Sequence, residues 1–180
     1  MNIIPLKLPG TFEIRPVVHG DSRGYFAEIF VKEVFAEHGL ITDWIQHNQA
    51  MSSSLHTLRG FHFQEGEFAQ TKLVSAAVGR VLDVVVDIRK GSETYGRWDS
   101  LELGADSCNS IYVPKGFAHA YITLTETAVV QYKVDAPYAP EHEGGIRWND
   151  PDLAVEWPTD APVLSDRDRS LPFFRDLGGG

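Results

Sequence analysis

The chain has 180 residues, of which 43% are hydrophobic and 23% charged, the balance of a soluble globular protein with enough length to bury one core. Its formal net charge of −9 excludes a general nucleic-acid binder, which needs a basic face to displace counterions from phosphates. An anionic small ligand would need a local cluster of Arg or Lys to overcome the acidic field. A single cysteine, Cys108, rules out an intrachain disulfide and suits a reducing compartment. No apolar run approaches the roughly 20 residues of a membrane span. The start, MNIIPLKLPG, lacks the basic and apolar regions of a secretory signal. The expectation is a cytoplasmic protein with no membrane partner.

In chain order, residues 1–10 carry Pro5 and Pro9 and read as irregular and peripheral. EIRPVV (13–18) reads as an edge strand in which Pro16 limits the ladder. Residues 19–28, HGDSRGYFAE, are turn-rich. VKEVFAEH (31–38) places Val31, Val34, Phe35 and His38 at helical spacing, and Gly39 follows as a C-cap. The pattern then changes to strands: LRGFHFQ (58–64), KLVSAAV (72–78), RVLDVVVDIR (80–89), RWDSLEL, NSIYVP, HAYITL and TAVVQYKV, separated by turn residues. Many short strands at this spacing predict an all-β sandwich or barrel with short peripheral helices, one domain over 1–180. From Ala136 onward the chain is rich in Pro, Asp and Trp and reads as loops wrapping the barrel; 173–180 is peripheral, and the terminal GlyGlyGly reads as a flexible end.

Period-2 alternation sorts side chains by face. His62 falls with Gly60 and Gln64, Lys72 with Val74 and Ala76, His119 with Tyr121 and Thr123, and Tyr132 with Ala128, Val130 and Val134. In 80–89, Leu82, Val84, Val86 and Ile88 take one face, and Val81, Asp83, Val85 and Asp87 the other. A base, an ammonium and a phenol facing one barrel interior make an acid–base site. Each residue alone has a plainer reading. A strand His is commonly a hydrogen-bonded half-buried residue, a Tyr packs with its hydroxyl at the edge, and a Lys opening a strand is solvated. A one-residue slip of register would also invert every assignment.

PKGFAHA (114–120) matches the P-x-G-x-x-H element of cupins, a jelly-roll superfamily in which many members bind a metal through that histidine and an earlier His-x-His pair. Here the earlier strand reads His62-Phe63-Gln64, and an amide is a poor metal ligand. Glu65 and Glu67 leave a two-His, one-carboxylate set as the alternative. The broken pair points to a cupin cavity without metal, in which His62 is free to act as a base.

From about residue 10 to about residue 172 the chain resembles the dTDP-4-dehydrorhamnose 3,5-epimerases. The resemblance rests on the order and spacing of DSRGYFAE (21–28), QHNQAMSSS (46–54), LRGFHFQ (58–64), QTKLV (70–74), VLDVVVDIRKGSETYG (81–96), VPKGFAHAY (113–121), QYKVDAPYAPEHEGGIRWNDPDL (131–153) and LSDRD (164–168). It implies a cupin-type jelly roll, a homodimer, and a nucleotide-linked 4-keto-6-deoxyhexose as substrate. The C4 ketone acidifies the C3 and C5 protons, so the chemistry implied needs neither cofactor nor metal. The resemblance assigns the base to His62, its orienting carboxylate to Asp168, the enolate-facing ammonium to Lys72 and the proton donor to Tyr132. It implies diphosphate contacts at Arg59 and Arg23 and polar contacts at Glu28, Gln46, Asn48 and His119. Phe26 and Tyr138 are implied as base-stacking neighbours, with residues 21–28 serving the same or the partner subunit. Departures from the common pattern are Phe61, the pair Ala120-Tyr121, and QAMSSS after Asn48. They leave a C3-only or C5-only epimerase as the alternative.

Overall fold

The computed structural model describes residues 1–177; the terminal glycines, read above as a flexible end, lie outside the described residues. The strands are β1 (Asn2–Pro5), β2 (Phe12–Arg15), β3 (Val18–Asp21), β4 (Gly24–Ala27), β5 (Gln46–Ser52), β6 (Leu58–Gln64), β7 (Lys72–Val78), β8 (Arg80–Asp87), β9 (Trp98–Gly104), β10 (Ser110–Val113), β11 (Phe117–Thr123), β12 (Ala128–Val134) and β13 (Glu143–Gly145). Two short helices, α1 (Lys32–Glu37) and α2 (Asp166–Arg169), lie outside them. A six-stranded sheet in the order β1-β2-β10-β7-β12-β5 faces a five-stranded sheet in the order β13-β6-β11-β8-β9. Neighbours within these sheets run antiparallel. This is the all-β sandwich expected from the strand spacing, in the form of the cupin-like jelly roll that the resemblance implied. Among the described residues no helix is long and apolar enough to cross a membrane.

The inner faces meet over Val74, Ala76, Ile111, Val113 and Val130 from one sheet and Val81, Val85, Leu103 and Phe117 from the other. Both outer faces are covered as well. The C-terminal segment lays Ile146, Leu153, Trp157 and Phe174 over Phe61, Phe63, Val84 and Val86. Helix α1 and its flanks cover Ile14, Leu73 and Tyr112 with Phe35, Phe30 and Trp44. β8 is therefore apolar on both faces: Val84 and Val86 point to the C-terminal wrap, and Val81 and Val85 to the inter-sheet core. Asp83 shares that inner face and is fully buried.

Several sequence expectations are corrected. Residues 1–10 are not irregular throughout: β1 forms the edge of the six-stranded sheet, and Leu8 is buried in the core. Residues 13–18 are not one edge strand. β2 ends at Arg15 and lies between β1 and β10, because Pro16 has no N–H to donate to a ladder. The turn-rich 19–28 is a hairpin of β3 and β4, closed where Asp21 pairs Gly24 and accepts the Arg23 N–H at 2.8 Å. The predicted helix is present as α1: Phe35 is fully buried, and Gly39 at φ +67 ends it in the left-handed region. The C-terminal third is mostly loop, yet it adds β13 to the edge of the five-stranded sheet and forms α2.

Candidate active site

β6 and β11 are the strands that build the site. His119 lies directly opposite His62, and two residues along, Tyr121 lies opposite Arg59. β6 thus has one residue more than β11 over this interval, a bulge at Gly60–Phe61. The alternation expected for 58–64 put Arg59 and His62 on opposite faces. The bulge turns both into the same cavity and sends Phe61 outward under the C-terminal wrap. Gly60 sits at φ +111, and a Cβ there would lie 2.5 Å from the His119 carbonyl oxygen, so glycine is required where the two backbones close up.

The cavity holds about 490 Å³ and opens between the two sheets. Arg59, His62, Lys72, His119, Tyr132 and Asp168 all line it, as do Tyr121, Glu143, Ser165 and Arg167. Lys72 and Tyr132 come from β7 and β12, neighbours in the six-stranded sheet, and face the two histidines of the other sheet.

His62 Nε2 lies 2.6 Å from Asp168 Oδ1. An ionised carboxylate can only accept, so Nε2 carries the proton and Nδ1 keeps its lone pair. Asp168 reaches this position from the first turn of α2, where the Ser165 hydroxyl accepts the Asp168 N–H at 3.1 Å and caps the helix. Burial is the largest single influence and acts to raise the Asp168 carboxyl, but the bond and charge of His62, with bonds from Ser165 and the Gly60 backbone, together hold it below the ordinary carboxylate range. A second pair stands beside the first: His119 Nε2 donates to Asp83 Oδ2 at 2.8 Å. Burial is the largest influence on the Asp83 carboxyl and leaves it above the ordinary range, although His119 and Lys72 act to lower it. Desolvation lowers Lys72 to about 8, against the opposing fields of Asp83 and Glu143. The Tyr132 phenol is raised by burial, with Arg59 acting against it, so it stays protonated at neutral pH. Tyr121 is raised further, to about 12, again chiefly by burial.

Arg59 Nη2 donates to the Met51 carbonyl at 3.1 Å, which steadies the guanidinium at the rim. Glu143 pairs with Arg167 at 2.7 Å and accepts the Tyr138 hydroxyl at 2.8 Å. Tyr138 itself stands outside the cavity and is 55% exposed. The other expected contact residues also lie outside the cavity of this chain. Arg23 is ion-paired with Asp21 on the β3–β4 hairpin, and Phe26 of the same hairpin is 65% exposed. Glu28 follows it on the surface, and Gln46 donates to Asn48 at 2.7 Å along the edge strand β5. Gln64, in the place of the second metal-binding histidine, is buried. It donates to the Phe68 and Pro137 carbonyls and accepts from the Ala139 N–H, so it ties loops together. Among the described residues no group of three or more His, Cys, Asp and Glu is placed to hold a metal ion.

Sequence reasoning missed Tyr121, Glu143, Arg167 and the supporting Asp83. Asp83 had a visible signal, a carboxylate between Val81 and Val85 on the inward face of a valine-rich strand. Glu143 and Arg167 lie in segments without periodicity and had none.

An imidazole fixed by a carboxylate, set across from an ammonium and a phenol inside a jelly roll, defines an acid–base isomerase that can take a proton from one side of a substrate and return one from another. The dTDP-4-dehydrorhamnose 3,5-epimerase family model matches residues 5–176, and the chain belongs to that family. It is 42% identical over 176 residues to the dTDP-4-dehydrorhamnose 3,5-epimerase of Salmonella typhimurium, covering 97% of this chain and 96% of the relative. Its fold matches the crystal structure of the Bacillus anthracis dTDP-4-dehydrorhamnose 3,5-epimerase with TDP and PPi bound. That match has a TM-score of 0.93 and 41% identity, over 96% of this chain and 98% of the other. The Legionella pneumophila 3,5-epimerase, solved in complex with dTDP-4-keto-L-rhamnose, matches with a TM-score of 0.90 and 37% identity, over 96% and 92% of the two chains.

Proposed function

We propose that this chain epimerises dTDP-4-dehydro-6-deoxy-D-glucose at C3 and C5, giving dTDP-4-dehydro-L-rhamnose. The observation that carries this reading is the His62–Asp168 pair at 2.6 Å, in one cavity with Lys72 and Tyr132. His62 Nδ1 takes the proton from the carbon beside the C4 ketone, and the imidazolium that forms is stabilised by Asp168. The electron pair of the broken C–H bond moves into the C3–C4 or C4–C5 bond, and the ketone oxygen becomes an enolate oxygen facing the Lys72 ammonium. Tyr132 returns a proton to the opposite face of the carbon, which inverts it. One proton leaves and one enters at each centre, so the balance calls for no redox cofactor.

In this reading Arg59 and His119 contact the substrate from within the cavity, Arg59 at the diphosphate. Arg23, Phe26, Glu28, Gln46, Asn48 and Tyr138 serve the nucleotide from outside it. The hairpin of β3 and β4 carries Arg23 and Phe26 exposed on its surface, a placement suited to reaching a second subunit of a homodimer. The enzyme works in the cytoplasm.

The test is solvent deuterium exchange into dTDP-4-keto-6-deoxyglucose, followed by NMR at C3 and C5. His62→Ala is expected to abolish uptake at both carbons. Undiminished exchange in that variant removes His62 as the base, and uptake by the unaltered enzyme at one carbon alone marks a mono-epimerase.

A further inference from the structure

Asp83 is a buried carboxylate bonded to the cavity residue His119, and the proton-transfer scheme does not use it. It comes from β8, between Val81 and Val85, and its side chain is fully buried. One oxygen accepts from His119. The other, Oδ1, is buried with no hydrogen-bond partner among the described residues. A buried carboxylate oxygen left unpaired is costly, and an apolar side chain of similar size would pack there without that cost. With the carboxyl ionised, the form that the bond from His119 and the charge of Lys72 favour against burial, such an oxygen supplies negative potential in a medium of low dielectric.

We infer that Asp83 is a positioning residue for the reaction: one oxygen fixes His119, and the charge on the other keeps the Lys72 side chain an ammonium while the enolate forms. The inference rests on the reading of Lys72 as the group facing the enolate oxygen. The groups around Lys72 can be taken element by element. β8 brings Asp83, β13 brings Glu143, and β12 and β11 bring Tyr132 and His119. β6 brings the cations Arg59 and His62, and α2 brings Arg167 with Asp168. Asp168 is engaged by His62, and Glu143 by Arg167 and Tyr138. Among the described residues Asp83 is the one of these carboxylates with a fully buried oxygen that has no bond, and its field is the largest that opposes the desolvation of Lys72. No ion pair closes between them, so the ammonium stays free to turn its protons to substrate.

Asp83→Asn removes the charge and keeps an oxygen for His119. Its first readout needs no activity. Trace acetylation of Lys72, quantified on its peptide by mass spectrometry from about pH 6 to about pH 10, gives the midpoint of its titration. In the unaltered protein the midpoint is expected near 8, and in Asp83→Asn about one pH unit or more lower. The alkaline limb of the deuterium-exchange rate is expected to move with it. A folded Asp83→Asn protein with an unmoved labelling midpoint overturns the inference. A moved midpoint with an unmoved alkaline limb overturns it too, since Asp83 would then set the charge of Lys72 without serving the reaction. Absence of exchange in the unaltered enzyme would sink the epimerase reading instead, and the labelling would still decide the effect on Lys72. If Asp83→Asn does not fold, the double variant Asp83→Asn/Lys72→Met, which removes both charges, is expected to fold; its failure to do so likewise overturns the inference.

Discussion

The cavity contains two imidazole–carboxylate pairs on adjacent strands, and they are built differently. His119–Asp83 lies wholly within the five-stranded sheet, with side chains 10% and 0% exposed. His62–Asp168 joins that sheet to a four-residue helix 106 positions downstream, and the imidazole is 30% exposed. The inner pair is held by ladder bonds on both sides. The outer pair depends on the docking of the C-terminal segment and leaves its ring open to the cavity. A base must reach its substrate and change charge during turnover, and that requires access and a partner that can stabilise either state. A fixed field needs burial instead. On the proposed reading, the same two residue types are divided between proton transfer and electrostatic support by position alone.

The division can be broken most severely at His62. His62→Ala is expected to lower exchange by about 10³-fold or more, and His119→Ala by about 10-fold; the reverse order, measured under one set of conditions, would exchange the two roles. Lys72→Met comes next. Its kcat for epimerisation is expected to fall about 10²–10³-fold, the range for losing a fixed donor at a developing oxyanion. Lys72 is lowered to about 8 in the fold, so at neutral pH the native state bears the cost of a desolvated charge that the unfolded chain does not. Lys72→Met is therefore expected to raise the melting midpoint by about 2–4 °C while activity falls. A variant that lost both activity and stability would mark Lys72 as structural.

Asp168→Asn sharpens the comparison in acid. The Asp168 carboxyl is held below its ordinary range in the fold, so its contribution to stability is fully present above the unfolded value of about 3.9 and is lost as pH falls through the lower folded value. Melting followed downward from about pH 6 is expected to show the variant less stable at first, with the difference shrinking below about pH 4. A gap that stays constant would mean that the bond to His62 contributes nothing through charge. The smallest effect is expected from Glu143→Gln. Its field on Lys72 ranks below that of Asp83, and the alkaline limb should move in the same direction as in Asp83→Asn, but by only about a few tenths of a pH unit.

Much of the fold was legible because strands buried on known faces obey a period of two. KLVSAAV became β7 over its whole length, and TAVVQYKV kept Ala128, Val130 and Tyr132 on the face first assigned to them. The site was legible only in part. The bulge in β6 placed Arg59 beside His62, and nothing in the alternation of LRGFHFQ indicates that Gly60 and Phe61 together oppose Ala120. Glu143 and Arg167 met at the cavity only after β13 and α2 had docked, and a three-residue strand and a four-residue helix are too short to leave a periodic trace.

By itself, then, the order of residues determined the strands, the faces of Lys72, His119 and Tyr132, the helix ended by Gly39, and through its motifs the family. Those properties are local or are carried by short range patterning, which a sequence writes directly. The resemblance named Asp168 as the partner of His62, but the tertiary structure alone decided that the two meet at 2.6 Å, that one oxygen of Asp83 is left unpaired behind His119, and that the residues expected to contact the nucleotide stand outside the cavity of their own chain. Each of these depends on which distant segments come to pack together, and that is settled by the burial of whole faces rather than by any neighbouring residue.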